Sequence, residues 1–119
     1  MKAHTGGHVS LAQERALEAL VANFLTDLAH ANRSVHTRRA YASDLAALLR
    51  FHGGSASSIT PEILRSFFAT IAHLAPASRA RKEASIASFL GWAYRHELIP
   101  ADPMRRLDHP GRHPRPSSA

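Results

Sequence analysis

Two clusters of cationic side chains stand out in this sequence because both fall at the predicted starts of helices. The first is Thr37-Arg38-Arg39, and the second is Ser78-Arg79-Ala80-Arg81-Lys82. A helix N-terminus carries a partial positive charge, so each cation placed there costs about 0.3–1 kcal/mol. A bound polyanion would reverse that cost, because free backbone N–H groups and arginine side chains both donate hydrogen bonds to phosphate oxygens. The clusters therefore indicate phosphate binding, and the alternative is two solvated basic faces without a ligand.

The overall charge of the chain agrees with an acidic partner. The 119 residues contain 15 Lys and Arg against 9 Asp and Glu, which gives a net charge of +6 and a pI near 11.1. Nearly all the cations are arginine, the side chain best suited to phosphate. There is no cysteine, which excludes disulfides and thiolate metal sites. No apolar run approaches the roughly 18 residues of a membrane span and no signal segment opens the chain, so we expect a cytoplasmic protein that does not bind membranes.

Apolar residues recur at helical spacing in four blocks, which predicts an all-α fold. The first predicted helix ends near Ala31-Asn32, the second at a glycine C-cap formed by Gly53-Gly54, and the fourth near Leu98, before Pro100 and Pro103. The predicted N-caps of the four helices are Ser10, Ser34, Thr60 and Ser78. Short links between successive helices favour two hairpins in a four-helix orthogonal bundle. We expect a flexible N-terminus over 1–9, a helical DNA-binding domain over 10–107 and a flexible linker or tail over 108–119.

A count of about 100° per residue predicts which side chains face outward on the two basic helices. With Tyr41 inward, Arg39, Ser43 and Arg50 face outward on the second helix, and Arg38 lies on the flank. With Ile86 inward, the outward side chains of the fourth helix are Arg81, Ser85, Ser88 and Arg95, with Trp92 on the edge. Two adjacent helices that carry Arg, Ser and Thr fit the major groove of duplex DNA, which is about 12 Å wide. Single-strand binding is less favoured, because it generally uses several exposed aromatic side chains.

The order and spacing of these residues resemble the N-terminal core-binding domain of tyrosine recombinases, the phage integrase and Xer-like proteins, which is described as SAM-like. The resemblance runs from Phe24 to Pro103. It is carried by Ser34, Thr37, Tyr41, Asp44-Leu45, Ile59-Thr60-Pro61, Ser78, Arg81, Ala84, Ile86, Phe89, Trp92, Tyr94-Arg95, Leu98-Ile99 and Asp102-Pro103.

The resemblance implies a domain that clamps one side of a recombination site while a separate catalytic domain grips the other. It implies duplex DNA, a C-terminal catalytic domain and other recombinase protomers as partners, and no cofactor. By position, the residues expected to contact phosphates are Thr37, Arg38, Arg39, Arg79, Arg81 and Lys82. The residues expected to contact the groove more deeply or the DNA backbone are Ser43, Ser85 and Arg95. Ala87 and Ser88 occupy positions where relatives often carry a cation, so we expect weaker DNA affinity than in a typical relative.

We assign no catalytic residue to this chain, although two His-x-x-Arg strings match part of the family's catalytic motif. One string, His36 to Arg39, lies at a helix start, and the other, His109 to Arg112, lies in the predicted tail without a following tyrosine. The family's catalytic arginines, lysine and tyrosine belong to a domain that we expect to be absent from this chain. The pairs His4/His8 and His109/His113 have i, i+4 spacing, but no cysteine or nearby carboxylate completes a tetrahedral set, so we predict no metal site.

Two other functions stay open at this point. A helix-turn-helix transcription regulator would need a short recognition pair, whereas the two basic helices here are separated by the third. A protein-interaction bundle that docks on a recombinase would need an exposed apolar patch, for which Trp92 and Leu98 are the obvious seeds.

Overall fold

The structure is a computed structural model that describes the backbone of residues 16–112 and the side chains of residues 16–107. The predicted flexible N-terminus, the predicted cap at Ser10 and residues 113–119 of the predicted tail lie outside the described residues. The helices are α1 (Leu17–His30), α2 (Val35–Phe51), α3 (Pro61–Thr70), α4 (Pro76–Arg95) and α5 (Pro103–Arg112), with a 3-10 turn at Ala56–Ser58. The all-α prediction is confirmed, since no named strand occurs within residues 16–112. Among the described helices, none is long and apolar enough to cross a membrane.

Helices α1 and α4 end in the same way, because a non-glycine residue just after each helix adopts the left-handed backbone conformation. Asn32 has φ of 62° and Glu97 has φ of 59°. The next residue along the chain then closes each end, because Arg33 N–H donates to Leu28 O at 3.0 Å and Leu98 N–H donates to Ala93 O at 2.8 Å. These bonds satisfy carbonyls that the helix itself leaves free.

Two of the predicted caps are confirmed. The Ser34 side chain accepts a hydrogen bond from Thr37 N–H at 3.0 Å, and Thr60 accepts one from Ile63 N–H at 3.1 Å. The predicted cap at Ser78 is wrong, because α4 begins at Pro76 with Ala75 as its N-cap residue. Proline suits the first helical position, where its missing N–H has no partner to lose.

The predicted glycine C-cap of α2 is also wrong. The helix ends at Phe51, and His52 continues with an extended backbone at φ −135°. Neither Gly53 nor Gly54 has a positive φ. The chain instead turns through the 3-10 segment, where the His52 ring and the Ser58 hydroxyl are hydrogen-bonded at 2.8 Å.

Helix α5 is the main element that sequence reasoning missed. Pro103 is a stop signal for α4 but also an acceptable first residue for a new helix. Asp102 supplies the cap, since its side chain accepts from Met104 N–H at 3.0 Å. The helix runs through Arg112, so the first residues of the predicted tail have a helical backbone.

The core lies where α1 meets α2 and α4, while α3 packs mainly on α5. Phe24 of α1 sits at its centre, with its ring centroid 5.4–5.6 Å from those of Tyr41, Phe89 and Trp92. The largest apolar side chains with no more than 2% exposure are Phe67, Phe89, Leu17, Leu20, Leu45, Leu48, Leu64, Ile86 and Leu90. The buried aromatic junction fixes α2 and α4 side by side on α1.

Candidate nucleic-acid interface

Helices α2 and α4 lie side by side and run in opposite directions. Asp44 of α2 contacts Arg81 and Ser85 in the first half of α4, whereas Tyr41, earlier in α2, faces Ser88, later in α4, at 3.5 Å between the two oxygens. The two basic clusters therefore lie towards opposite ends of the shared α2–α4 face. Because α4 begins at Pro76, its cluster also lies beyond the first helical turn, where the unfavourable helix dipole has faded.

The carboxylate of Asp44 lies between α2 and α4, is fully buried and accepts four hydrogen bonds. Its Oδ1 accepts from Arg81 Nη2 at 2.7 Å and from Lys82 Nζ at 3.0 Å. Its Oδ2 accepts from Arg81 Nε at 3.2 Å and from Ser85 Oγ at 2.6 Å. We call these four residues the Asp44 cluster. Both carboxylate oxygens are saturated by donors from α4, so the cluster ties the two helices at one point.

Electrostatics within the cluster favour the ionised carboxylate. Burial alone would raise the pKa of Asp44, but hydrogen bonds from Arg81, Ser85 and Lys82, together with the charge of Lys82, hold it below its ordinary value. The two cations differ in exposure, since the Arg81 side chain is 54% exposed and the Lys82 side chain only 16%. Arg81 therefore bridges the buried carboxylate and the solvent, whereas Lys82 is directed inward.

Sequence reasoning placed Ser85 on the outward face, and this orientation is wrong. Ser85 is 5% exposed and donates to Asp44. Helix α4 is covered by α1 on one side and by α2 on the other, so its buried arc is wider than a single apolar stripe. Trp92, which was expected at the edge of the face, is likewise buried at 8% exposure.

The residues predicted on α2 lie in the first half of that helix and differ in exposure. Arg39 and Ser43 are exposed, and Thr37 and Arg38 are half-buried. Local bonds hold the latter two, since Ser34 Oγ donates to Thr37 Oγ1 at 3.0 Å and Arg38 Nε donates to the Arg33 carbonyl at 3.2 Å.

The remaining predicted residues, Arg79 and Arg95, lie towards opposite ends of α4. Arg79 is half-buried, and its Nε has no hydrogen-bond partner. Arg95 is exposed in the last turn. At 1.5 Å per residue, Arg81 and Arg95 are separated by about 21 Å along the helix axis. The structure thus brings Arg81, Lys82 and Ser85 into one cluster and leaves Arg95 apart from them.

A groove of about 410 Å³ lies beside Arg95, between the end of α1, the start of α2 and the end of α4. Its walls combine aromatic and apolar side chains with cations at the rim. They include Phe24, Leu28, Tyr41, Trp92, Arg33 and Arg95. The α2–α4 face therefore has the Asp44 cluster near its middle and a cation-rimmed groove near one end.

The histidines and the tyrosine of the His-x-x-Arg strings can be compared with the structure only in the described part of the chain. Tyr41, which follows the first His-x-x-Arg string, is half-buried with its ring against Phe24. No group of three or more His, Cys, Asp or Glu residues could hold a metal ion within the described residues. The pair His4/His8 and the side chains of His109 and His113 lie outside the described residues.

The organising residue that sequence reasoning did not assign to the site is Asp44. Its signal is the one carboxylate of α2, three positions after Tyr41 and four before Leu48, which places it beside the apolar stripe of that helix. A carboxylate in such a place is buried only with partners, and the cations of α4 are the partners that this chain offers.

Comparison with known proteins agrees with the all-α fold and identifies a protein family that this chain matches. Residues 21–97 match the family model described as phage integrase, N-terminal SAM-like domain. Tyrosine recombinase XerC of Mycobacterium tuberculosis (strain ATCC 25177 / H37Ra) is 41% identical over 83 residues, and that of Mycobacterium sp. (strain KMS) is 36% identical over 85. Each match covers 66% of this chain and 28% of the relative, so the chain spans less than a third of these relatives' length.

The fold is also similar to that of a solved structure, a lambda integrase dimer bound to a COC' core site. The two superpose with a TM-score of 0.70 at 14% identity, over 82% of this chain and 28% of the other. This likeness concerns the fold, whereas the family match rests on sequence. Together with the five-helix architecture, the match over residues 21–97 shows that the chain belongs to the phage integrase N-terminal SAM-like domain family of tyrosine recombinases.

Proposed function

We propose that the α2–α4 face binds duplex DNA, and that the domain acts as the core-binding domain of a site-specific recombinase. The observation that carries this proposal is the distribution of cations on the face. Arg39 is exposed near the start of α2, Arg81 is half-exposed near the start of α4, and Arg95 is exposed at its end. The side chains between the two α4 arginines include Ala84, Ala87, Ser88 and Gly91, which are small enough for close approach to a duplex.

Phosphate contacts would supply most of the affinity, because the outermost groups are guanidinium groups spread over about 21 Å of helix. Serine and threonine side chains at the same surface, such as Ser43, would add hydrogen bonds to backbone or base edges. The lambda integrase structure is a complex with a core site, which supports DNA as the partner class.

The recombinase role extends the proposal to partners. The relatives matched are tyrosine recombinases, so we assign cutting and rejoining of DNA to a catalytic domain distinct from residues 21–97. The domain described here would hold one side of the recombination site for that catalytic domain and for other protomers. The two residues named as seeds of a docking patch are withdrawn from the surface, since Trp92 is buried and Leu98 is half-buried. For the helix-turn-helix alternative, α3 separates the two basic helices in sequence.

A salt titration tests DNA binding directly. Fluorescence anisotropy with a labelled duplex of about two helical turns would be measured at several salt concentrations between about 50 and 200 mM. If roughly 4 to 6 cations neutralise phosphates, log affinity falls against log salt with a slope of about −4 to −5. Arg39→Ala, Arg81→Ala and Arg95→Ala should each flatten the slope by about one unit.

Arg65→Ala is the matched control, because it removes the same charge from an exposed position on α3, outside the α2–α4 face. Its salt slope should equal that of the wild-type chain. Equal slopes for Arg65→Ala and the three face variants would refute the proposed face. Failure of the wild-type chain to bind duplex at low salt would refute DNA binding by the domain alone.

A further inference from the structure

Asp44 is an unusual residue for a surface that is proposed to meet DNA. It carries a negative charge under a basic face, and the fully buried carboxylate needs four hydrogen bonds to be accommodated. Apolar side chains of similar size could hold α2 against α4 without that desolvation cost. What an ionic cluster adds over apolar packing is a fixed direction for each of its donors.

The geometry of the Arg81 guanidinium shows which direction is fixed. Arg81 approaches Asp44 side-on, with Nε donating to one oxygen and Nη2 to the other. A planar guanidinium has five N–H groups in a rigid fork. Two of them are used by Asp44, so the other three point away from the carboxylate. The Arg81 side chain is 54% exposed, so it remains accessible to a ligand while it is paired with Asp44.

Lys82 and Ser85 complete the cluster in a different way. The Lys82 side chain is 16% exposed and its ammonium contacts the same Oδ1 as Arg81. Ser85 is buried and donates to Oδ2. One carboxylate and two cations leave the cluster with a net charge of +1, and Arg81 is the member that presents this charge outward.

We infer that Asp44 is a positioning residue for DNA, which acts by holding the remaining guanidinium N–H groups of Arg81 towards a phosphate. The inference rests on the proposed function and assigns different roles to neighbouring cations. Arg81 makes the phosphate contact, whereas Lys82 balances the buried charge. Preorganisation of this kind raises affinity because a fixed side chain loses little conformational freedom on binding.

The inference makes a prediction opposite in sign to simple electrostatics. Asp44→Asn raises the net charge by one unit, so a model based on charge alone predicts tighter DNA binding. If Asp44 orients Arg81, the same variant should bind about three- to tenfold more weakly, the loss expected when one charge-assisted hydrogen-bond pair is no longer preorganised. Glu83→Gln is the charge-matched control, because Glu83 is an exposed acid on α4, the helix that carries Arg81, and it should bind as tightly as wild type or tighter.

A double-mutant cycle separates positioning from general disruption. Affinities for one duplex of about two helical turns would be measured for wild type, Asp44→Asn, Arg81→Ala and the double variant. If Asp44 acts through Arg81, Asp44→Asn has no further effect once Arg81 is replaced by alanine. A variant that loosened the whole domain would lose affinity in both backgrounds.

Arg81→Lys provides a second test that does not remove the buried carboxylate. Lysine keeps the positive charge but cannot make the planar two-point pairing with Asp44. We expect about three- to fivefold weaker binding with an unchanged salt slope, since the charge is retained while the orientation is lost. Circular dichroism would confirm that each variant is folded before its affinity is measured.

The outcomes distinguish this inference from the proposed function. If the wild-type chain does not bind duplex at low salt, both are refuted. If the wild-type chain binds but Asp44→Asn binds equally well or tighter, or loses the same affinity in both backgrounds, DNA binding stands and the positioning role is refuted.

Discussion

Trp92 of α4 donates a hydrogen bond from its indole Nε1 to Oδ2 of Asp27 in α1, at 2.9 Å and across 65 positions of sequence. The indole ring also packs near Phe24, with ring centroids 5.4 Å apart, and near Phe89, at 6.1 Å. One side chain thus joins the apolar core to a polar contact at the end of α1. It is also the only tryptophan in the chain, so its environment can be followed by fluorescence.

Replacing either partner, Asp27 or Trp92, tests how much this interhelix hydrogen bond contributes to the stability of the fold. Asp27→Asn keeps the shape of the acceptor but removes its charge, and should lower the free energy of unfolding by about 0.5–1.5 kcal/mol. Urea unfolding followed by Trp92 fluorescence measures this. Trp92→Phe removes the donor as well as ring area, so it should cost more, about 1–3 kcal/mol, with unfolding followed by circular dichroism. A cost for Trp92→Phe that is no larger than that for Asp27→Asn would contradict the contribution assigned to the indole donor and ring area.

The Asp44 cluster predicts a specific acid sensitivity. The pKa of Asp44 is lowered in the folded chain, whereas in the unfolded chain it is near the ordinary value of about 3.9. The resulting stabilisation is present above about pH 4 and is lost as the pH falls through the folded pKa. Asp44→Asn should lower the free energy of unfolding by about 2–4 kcal/mol at neutral pH, with the partial exposure of Arg81 reducing the loss.

Urea unfolding of wild type and Asp44→Asn between about pH 7 and pH 3 would check this prediction. The difference in unfolding free energy should shrink as the solution is acidified. Glu62→Gln changes an exposed acid and is the control. A difference between wild type and Asp44→Asn that stays constant down to pH 3 would contradict the assigned pKa direction.

The helix caps give a prediction that separates two serines. Ser34→Ala removes the acceptor for Thr37 N–H and should cost about 1 kcal/mol of stability. Ser78→Ala should cost little, because α4 begins at Pro76 and Ser78 caps nothing. Thermal unfolding of the two variants compares them. Equal losses would mean that α4 begins later than the structure shows.

Replacing the left-handed residue at the end of α4 by glycine should make the domain more stable. Glu97 has φ of 59°, a conformation that costs a residue with a Cβ about 1 kcal/mol relative to glycine. Glu97→Gly should therefore raise the free energy of unfolding by about 0.5–1 kcal/mol. Asn32→Gly, at the equivalent place after α1, should gain less because asparagine tolerates this conformation. Thermal unfolding would rank the two, and a loss of stability in Glu97→Gly would contradict the assigned backbone.

Much of the fold could be predicted from local signals. Apolar spacing identified helices α1 to α4, and the Ser34 and Thr60 caps were located because each cap binds a backbone N–H within its own first turn. The roles of two prolines were harder to predict. Pro76 and Pro103 each begin a helix, although proline is also the strongest stop signal, and only packing against other helices decides between the two roles.

The site was less predictable than the fold. Exposed Arg39 and Arg95 followed from helical periodicity. The burial of Ser85 and the role of Asp44 did not, because both depend on α2 lying against α4, which sequence spacing on a single helix does not contain. Periodicity predicts one face per helix, whereas α4 contacts both α1 and α2.

The placement of Arg81 and Arg95 on one continuous helix has a mechanical consequence. Two anchors about 21 Å apart on a stiff rod can both meet phosphates only if the duplex follows the rod over that length. Under the proposed function, the domain would respond to the groove geometry of DNA as well as to its charge. Duplexes that present two phosphates at the spacing of Arg81 and Arg95 would bind more tightly than duplexes with the same charge but a different groove width, and the domain would select DNA through its shape.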